Sequence, residues 1–208
     1  MIIIKNNQLS QPFGINKERL IPYFENTQKN QPMGNPKGIV LHWGANNRFN
    51  YADGYHFNIC DFSGNSVVVQ SLKLSEKGSH IWGRNSGLIG ISMSCMKNPD
   101  LEPTKVQQET TSILIAEFCA WKSLDINGEI LLPEKKYYSN PDRLIDTGKM
   151  IKFPVVTDHA EYAKRDGYFP ERWDIGKFKE PVITRAKQIY SELKNGKGRK
   201  FQFLEILK

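Results

Sequence analysis

Cysteine is scarce in this chain of 208 residues, which has only Cys60, Cys95 and Cys119. An odd number, each set within an apolar run, excludes a disulfide framework and suits reduced, buried thiols made in a cytoplasm. Long hydrophobic runs are also missing. No stretch approaches the roughly 20 apolar residues of a membrane-spanning helix, since even 112–120 is interrupted by Glu117. Met1-Ile2-Ile3-Ile4-Lys5 has no basic segment before it and no small-residue cleavage site after it, so the expectation is a chain made in the cytoplasm without a signal peptide. Neither GxGxxG nor GxxxxGK[ST] occurs, which leaves nucleotide chemistry without an anchor. HExxH is absent, which excludes a metalloprotease site carried on one helix. Acidic residues are outnumbered, giving a formal charge of +7 and a surface that attracts polyanions. Lys and Arg are scattered until Lys194 to Lys200, so no nucleic-acid interface is expected.

What is present suffices for one packed core. Hydrophobic residues at 39% and aromatics at 11% exceed what a disordered chain carries, and the length fits a single domain over 1–208. Residues 1–37 mix a short strand-like start with Asn, Gln, Gly and Pro and read as a wrap over the surface. Gly38-Ile39-Val40-Leu41-His42-Trp43-Gly44 is a β-branched run closed by Gly, a buried strand whose end carries a polar side chain. Tyr55 to Cys60 and Ser66 to Ser71 read as strands joined by the turn-forming 61–65, with a further strand over Leu88 to Cys95. Thr104 can cap the strongest helix, whose apolar Val106, Ile113, Leu114, Ala116, Phe118 and Trp121 form a stripe.

Residues 127–153 lack steady periodicity and read as an insertion with local structure. Pro154 to His159 predicts a short strand delivering a second histidine, and 161–177 predicts a loop broken by Gly167, Pro170 and Gly176. Glu180 to Leu193 predicts a closing helix, and 194–208 a basic tail with an edge strand over 200–207. Strands and helices interleave, so the predicted architecture is α/β (α+β), a central mixed β-sheet flanked by helices.

Among the four histidines, His42 and His159 end predicted strands. Zinc takes imidazole, thiolate or carboxylate, with three protein ligands and one open position at a catalytic site. His42, His159 and Asp174 would supply such a set, although from spacing alone each histidine reads sooner as a satisfied core or surface residue.

Context adds to this. Ile39-Val40-Leu41-His42-Trp43, Gly54-Tyr55-His56-Phe57-Asn58-Ile59, Gly64 through Gln70, His80-Ile81-Trp82-Gly83-Arg84-Asn85-Ser86, Ile89-Gly90-Ile91-Ser92, Pro103-Thr104 with Gln107 or Gln108, Thr157-Asp158-His159-Ala160-Glu161-Tyr162 and Arg172-Trp173-Asp174-Ile175-Gly176 occur in order along the chain. Together they resemble the zinc-dependent N-acetylmuramoyl-L-alanine amidases, the group that includes phage amidase lysozymes and animal peptidoglycan recognition proteins. The resemblance covers roughly Gly38 to Gly176. It departs from both branches of that group. Ser92 stands where the cytoplasmic recycling amidases have glutamate, and Asp174 and Arg172 stand where the phage and animal branch commonly has cysteine and lysine.

The resemblance implies a fold like that of these amidases, Zn2+ held by His42, His159 and Asp174, and cleavage of the amide between N-acetylmuramic acid and the L-alanine of the stem peptide. It implies that Tyr55 orients the attacking water, that Arg172 places positive charge beside the oxyanion, and that His80, Trp82, Arg84 and Asn85 contact glycan and stem peptide. Strand alternation assigns His56 to the face opposite Tyr55, as a structural residue. A plain structural role stays open for each helper: Arg172 as a surface charge, Tyr55 as a packed ring, His80, Trp82 and Arg84 as a loop held by its own contacts. The expected partner is bacterial peptidoglycan and the expected state a monomer. The expected setting is a phage endolysin, released through a holin or carried on the virion. The alternatives are a peptidoglycan-recognition protein without catalysis and a cytoplasmic amidase that recycles muropeptides.

Overall fold

A computed structural model describes residues 2–5, 34–96, 101–139, 142–168 and 175–196. Within them the elements run β1 (Ile2–Lys5), β2 (Gly38–Trp43), β3 (Phe57–Phe62), β4 (Asn65–Gln70), β5 (Leu88–Met93), α1 (Lys105–Trp121), β6 (Glu129–Ser139), β7 (Asp142–Pro154), β8 (Val156–Asp158), α2 (His159–Asp166), a 3₁₀ turn (Gly176–Phe178) and α3 (Lys179–Lys194). The fold is α+β. A six-stranded mixed sheet has the order β1-β4-β3-β5-β2-β8, and β6 with β7 makes a second, two-stranded sheet. Only β3 and β4 pair antiparallel in the large sheet. Their turn is tighter than the sequence predicts. Ser63 and Gly64 both adopt positive φ, 55° and 83°, and Asp61 Oδ1 accepts the Gly64 N–H at 2.8 Å. Two consecutive positive φ values suit the twist of a short hairpin.

Alternation sorts the buried strands into two faces. Ile39 and Leu41 of β2, Phe57 and Ile59 of β3, and Ile89, Ile91 and Met93 of β5 share one core with Ile113, Leu114, Ile115, Ala116 and Phe118 of α1 and Val182, Ile183, Ala186 and Ile189 of α3. Val40 and Leu88 on the other face pack with Ile81, Leu132, Phe153 and Tyr162, which come from the loop before β5, from the small sheet and from α2. Helix α1 starts as predicted. Thr104 accepts the Gln107 N–H and Gln107 reaches back to the Thr104 N–H, a reciprocal cap. Gln107 Nε2 also donates to the carbonyls of Ile59 and Ser94, at 2.8 and 2.9 Å, which stitches the helix start to the sheet.

Two expectations are corrected and one is made specific. The stretch read as an insertion with local structure is a long antiparallel hairpin, in register from Glu129 opposite Pro154 to Ser139 opposite Asp142, with an irregularity between Pro133 and Lys135. Proline has no N–H for the ladder, so a strand shifts register there. The stretch read as a loop from 161 begins instead within helix α2. Asp158 caps it by accepting the Glu161 N–H at 3.2 Å, and Gly167 stops it in the left-handed conformation at φ 80°. His159 is consequently the first residue of that helix rather than the last of a strand. Residues 6–33 of the expected wrap and the expected edge strand over 200–207 lie outside the described residues. No helix among the described residues is long and apolar enough to cross a membrane.

Candidate metal centre

Strands β2 and β8 are parallel neighbours, with Leu41 opposite Asp158, so they finish at the same edge of the sheet. His42 sits one residue before the end of β2, and His159 follows β8 directly. Their ring centroids are 5.3 Å apart. Tyr55 packs on His42 with centroids at 4.9 Å. His80 lies nearly perpendicular to His42 at 5.2 Å, its Nδ1 3.2 Å from His42 Nε2. His56 stands behind His80 at 5.8 Å, so all four histidines of the chain gather in one cluster. Strand β3 begins only at Phe57, so the alternation invoked for Tyr55 and His56 does not apply. Both rings lie against His80.

Burial disfavours the charged form of every ring in the cluster. His56 Nδ1 accepts the Gly90 N–H at 3.0 Å, and its Nε2–H donates to the Glu76 carbonyl at 2.9 Å. Burial pushes its pKa down to about 4, with that carbonyl opposing. Burial, then His56 and His159, push His80 down to about 3, against the pull of the Leu88 carbonyl. His42 is held well below the ordinary imidazole value by burial first, then by His80 and His159. His159 is lowered by burial, and Asp158 opposes the shift. Neutral imidazole is the form that ligates a metal, because one ring nitrogen keeps its lone pair.

This donor chemistry suits zinc. His42 and His159 offer two borderline nitrogen ligands side by side, half or more of what a catalytic zinc site takes from protein. The third expected ligand, Asp174, and its neighbour Arg172 lie outside the described residues. Among the described residues no three His, Cys, Asp or Glu side chains form a metal-holding group. The cysteines are far from ligand form. All three are buried, and burial raises the Cys60 thiol to about 11 and those of Cys95 and Cys119 to about 12. Ser92 is directly opposite His42 in the β2–β5 register, fully buried, and its hydroxyl has no hydrogen-bond partner among the described residues.

The loop between β4 and β5 divides into a face turned inward and one turned outward. Asn85 Oδ1 accepts the N–H groups of His80 and Ile81, at 2.9 and 2.7 Å, and so closes the loop on itself. Arg84 is turned inward. Its Nε and Nη2 bond Asp166 at 2.6 and 2.5 Å, its Nη1 donates to the Pro133 carbonyl at 2.6 Å, and its guanidinium lies over Phe153. Trp82 is 39% exposed and meets Tyr137 of β6 and Tyr168 edge-on, at 5.8 and 5.5 Å. Tyr168 went unnoticed in the sequence. Its hydroxyl lies 3.2 Å from His159 Nε2, and the Gly167 that ends α2 is the local signal that the chain turns back toward the histidine there. Tyr137 could not have been found, because it reaches the site only through the pairing of the hairpin.

Comparison with protein-family models finds no match, and comparison with curated proteins finds none either.

Proposed function

We propose that the protein is a zinc-dependent N-acetylmuramoyl-L-alanine amidase that hydrolyses the amide between the glycan lactyl group and the first alanine of the peptidoglycan stem. The observation that carries this reading is the pair of imidazoles, His42 and His159, converging at the shared end of β2 and β8 beside Tyr55. The ordered run of sequence motifs supplies the substrate. Zinc held by His42, His159 and Asp174 would supply Lewis-acid polarisation and a nucleophile at neutral pH.

The chain's own groups then have separable tasks. Tyr55, packed on the His42 ring, orients the attacking water through Oη and moves a proton at that atom. Arg172 would bring a permanent positive charge to the developing oxyanion, as the resemblance implies. The Tyr168 hydroxyl holds the His159 ring at Nε2. Trp82 offers an exposed aromatic edge for the glycan or stem peptide, with Tyr137 and Tyr168 behind it. Asn85 and Arg84 shape the loop that presents Trp82. The excess of positive charge suits an anionic wall, and a phage endolysin is the setting that joins this charge to the motifs.

Mass spectrometry of digested sacculi tests the reading. Release of intact stem peptides with a free L-alanine amine, by protein carrying one zinc per chain, is the expected result. Less than stoichiometric zinc together with uncut sacculi refutes it, and cleavage confined to small soluble muropeptides assigns the chain to recycling instead.

A further inference from the structure

His80 is placed where it settles the protonation pattern of its neighbour. Its Nε2 lies 3.2 Å from the Leu88 carbonyl. A carbonyl oxygen only accepts, so Nε2 carries the proton, and the neutral ring then has its lone pair on Nδ1. That Nδ1 lies 3.2 Å from His42 Nε2. Two lone pairs cannot face each other across that distance, so His42 Nε2 carries a proton and donates it to His80. The lone pair of His42 is thereby assigned to Nδ1. The chain of donation runs His42 Nε2–H to His80 Nδ1, then His80 Nε2–H to the Leu88 carbonyl of β5. At His159 the partner of Nε2 is the Tyr168 hydroxyl, which can either donate or accept.

The backbone is shaped around this ring. A Cβ on Gly90 would stand 2.7 Å from both Cδ2 and Cγ of His80, and a Cβ on Gly78 would stand 2.6 Å from Cδ2. Gly90 occupies the middle of the buried strand β5, where glycine weakens a strand and marks the close approach of another group. Here the group is the His80 imidazole. The loop is also fixed behind it by Asn85, which takes the His80 N–H. Ring plane, ring position and both nitrogen partners are therefore set by the fold.

We propose that His80 is a positioning residue for the metal centre: it fixes His42 as the Nε2–H tautomer and so presents Nδ1 as the ligand atom. This rests on the reading of His42 as a zinc ligand. Outer partners of ligating histidines commonly set tautomer and orientation, and losing one costs about 10- to 100-fold in metal affinity. A carboxylate, a peptide carbonyl or a water ordinarily takes that N–H directly. In this chain a second imidazole stands between ligand and carbonyl.

The test has an arm that needs no metal and no variant. Long-range 15N–1H spectra of the metal-free full-length protein at neutral pH distinguish the two nitrogens of each histidine. His42 and His80 are both expected as Nε2–H tautomers, and a protonated Nδ1 on either overturns the proposal. In the second arm, zinc affinity is measured by competition with a chromophoric chelator for wild type, His80→Leu and Gly90→Ala. Both folded variants are expected to bind Zn2+ about 10- to 100-fold more weakly, with His42 losing its single-tautomer signature in His80→Leu. Wild-type affinity in a folded His80→Leu overturns the proposal. Should His80→Leu not fold, the wild-type spectrum decides. Absence of zinc binding by wild type would defeat the zinc reading alone, since the tautomer pattern is read without metal.

Discussion

Asp166→Ala removes one half of the ion pair that joins three parts of the molecule. Both side chains are almost wholly buried, at 2% and 0% exposure. Arg84 spends two donors on Asp166 and a third on the Pro133 carbonyl of β6, while its guanidinium plane covers Phe153 of β7. Asp166 is the last residue of α2, so the pair ties the β4–β5 loop to that helix and, through Pro133 and Phe153, to the hairpin. Removing the carboxylate leaves a buried guanidinium without its counter-charge, at a cost of about 3 to 5 kcal/mol. In a chain of this size that lowers the melting temperature by about 6 to 20 °C. Differential scanning calorimetry gives the size of the loss, and native-state hydrogen exchange gives its place. Amides of β6 and β7 should lose protection while those of β2 and β5 keep it. A double replacement, Arg84→Met with Asp166→Leu, should recover most of the loss, because apolar side chains of similar volume remove the stranded charge. A melting temperature for Asp166→Ala within about 2 °C of wild type would refute the reasoning, since that is under about 1 kcal/mol.

Three further outcomes are expected. Asp174→Ala should purify with little zinc, read by native mass spectrometry; full occupancy would remove Asp174 from the ligand set. Tyr55→Phe should keep its zinc and cleave about 10²- to 10⁴-fold more slowly, the ordinary range for a lost proton-transfer group, and an unchanged rate would leave the ring a packing role only. His56 is neutral in the fold, its pKa lowered from 6.5 to about 4, so the unfolded chain takes up the proton first as pH falls. Its contribution is complete above pH 6.5 and is lost toward pH 4, up to about 3 kcal/mol. Urea unfolding of wild type and His56→Asn should therefore show the difference in stability shrinking between pH 7 and pH 4.5, and a constant gap would contradict the buried neutral state.

The parts of the fold legible in the sequence are those where one local signal sufficed. β2 declared itself by an unbroken apolar run, and α1 by Thr104 and Gln107 at capping spacing. The hairpin did not, because its strands are half-solvated on both faces. Lys135-Lys136-Tyr137-Tyr138 shows no alternation to read, and its pairing with 143–146 is a long-range fact. α2 carried its caps in plain view at Asp158 and Gly167, but eight residues with only Tyr162, Ala163 and Asp166 buried are too few for a helical period to emerge. The convergence of His42 with His159 depends on β8 choosing β2 as its partner, which no local pattern encodes. The placement of His80 was equally hidden. A histidine in a polar loop gives no sign that Gly78 and Gly90 have cleared a space for its ring.

The position of β2 also bears on how the protein is made. Its two neighbours, β5 and β8, come from later in the chain, and β8 follows the whole hairpin. Until Val156 has left the ribosome, β2 has an open flank, and its run of Ile39, Val40 and Leu41 presents unpaired backbone with apolar side chains, the combination that recruits foreign strands. Parallel pairing across such a separation is slow to form, because loop closure must be paid for before any contact rewards it. A chain truncated ahead of β8 should therefore aggregate rather than rest as a soluble fragment, and His42 acquires its companion His159 only after the hairpin has been made.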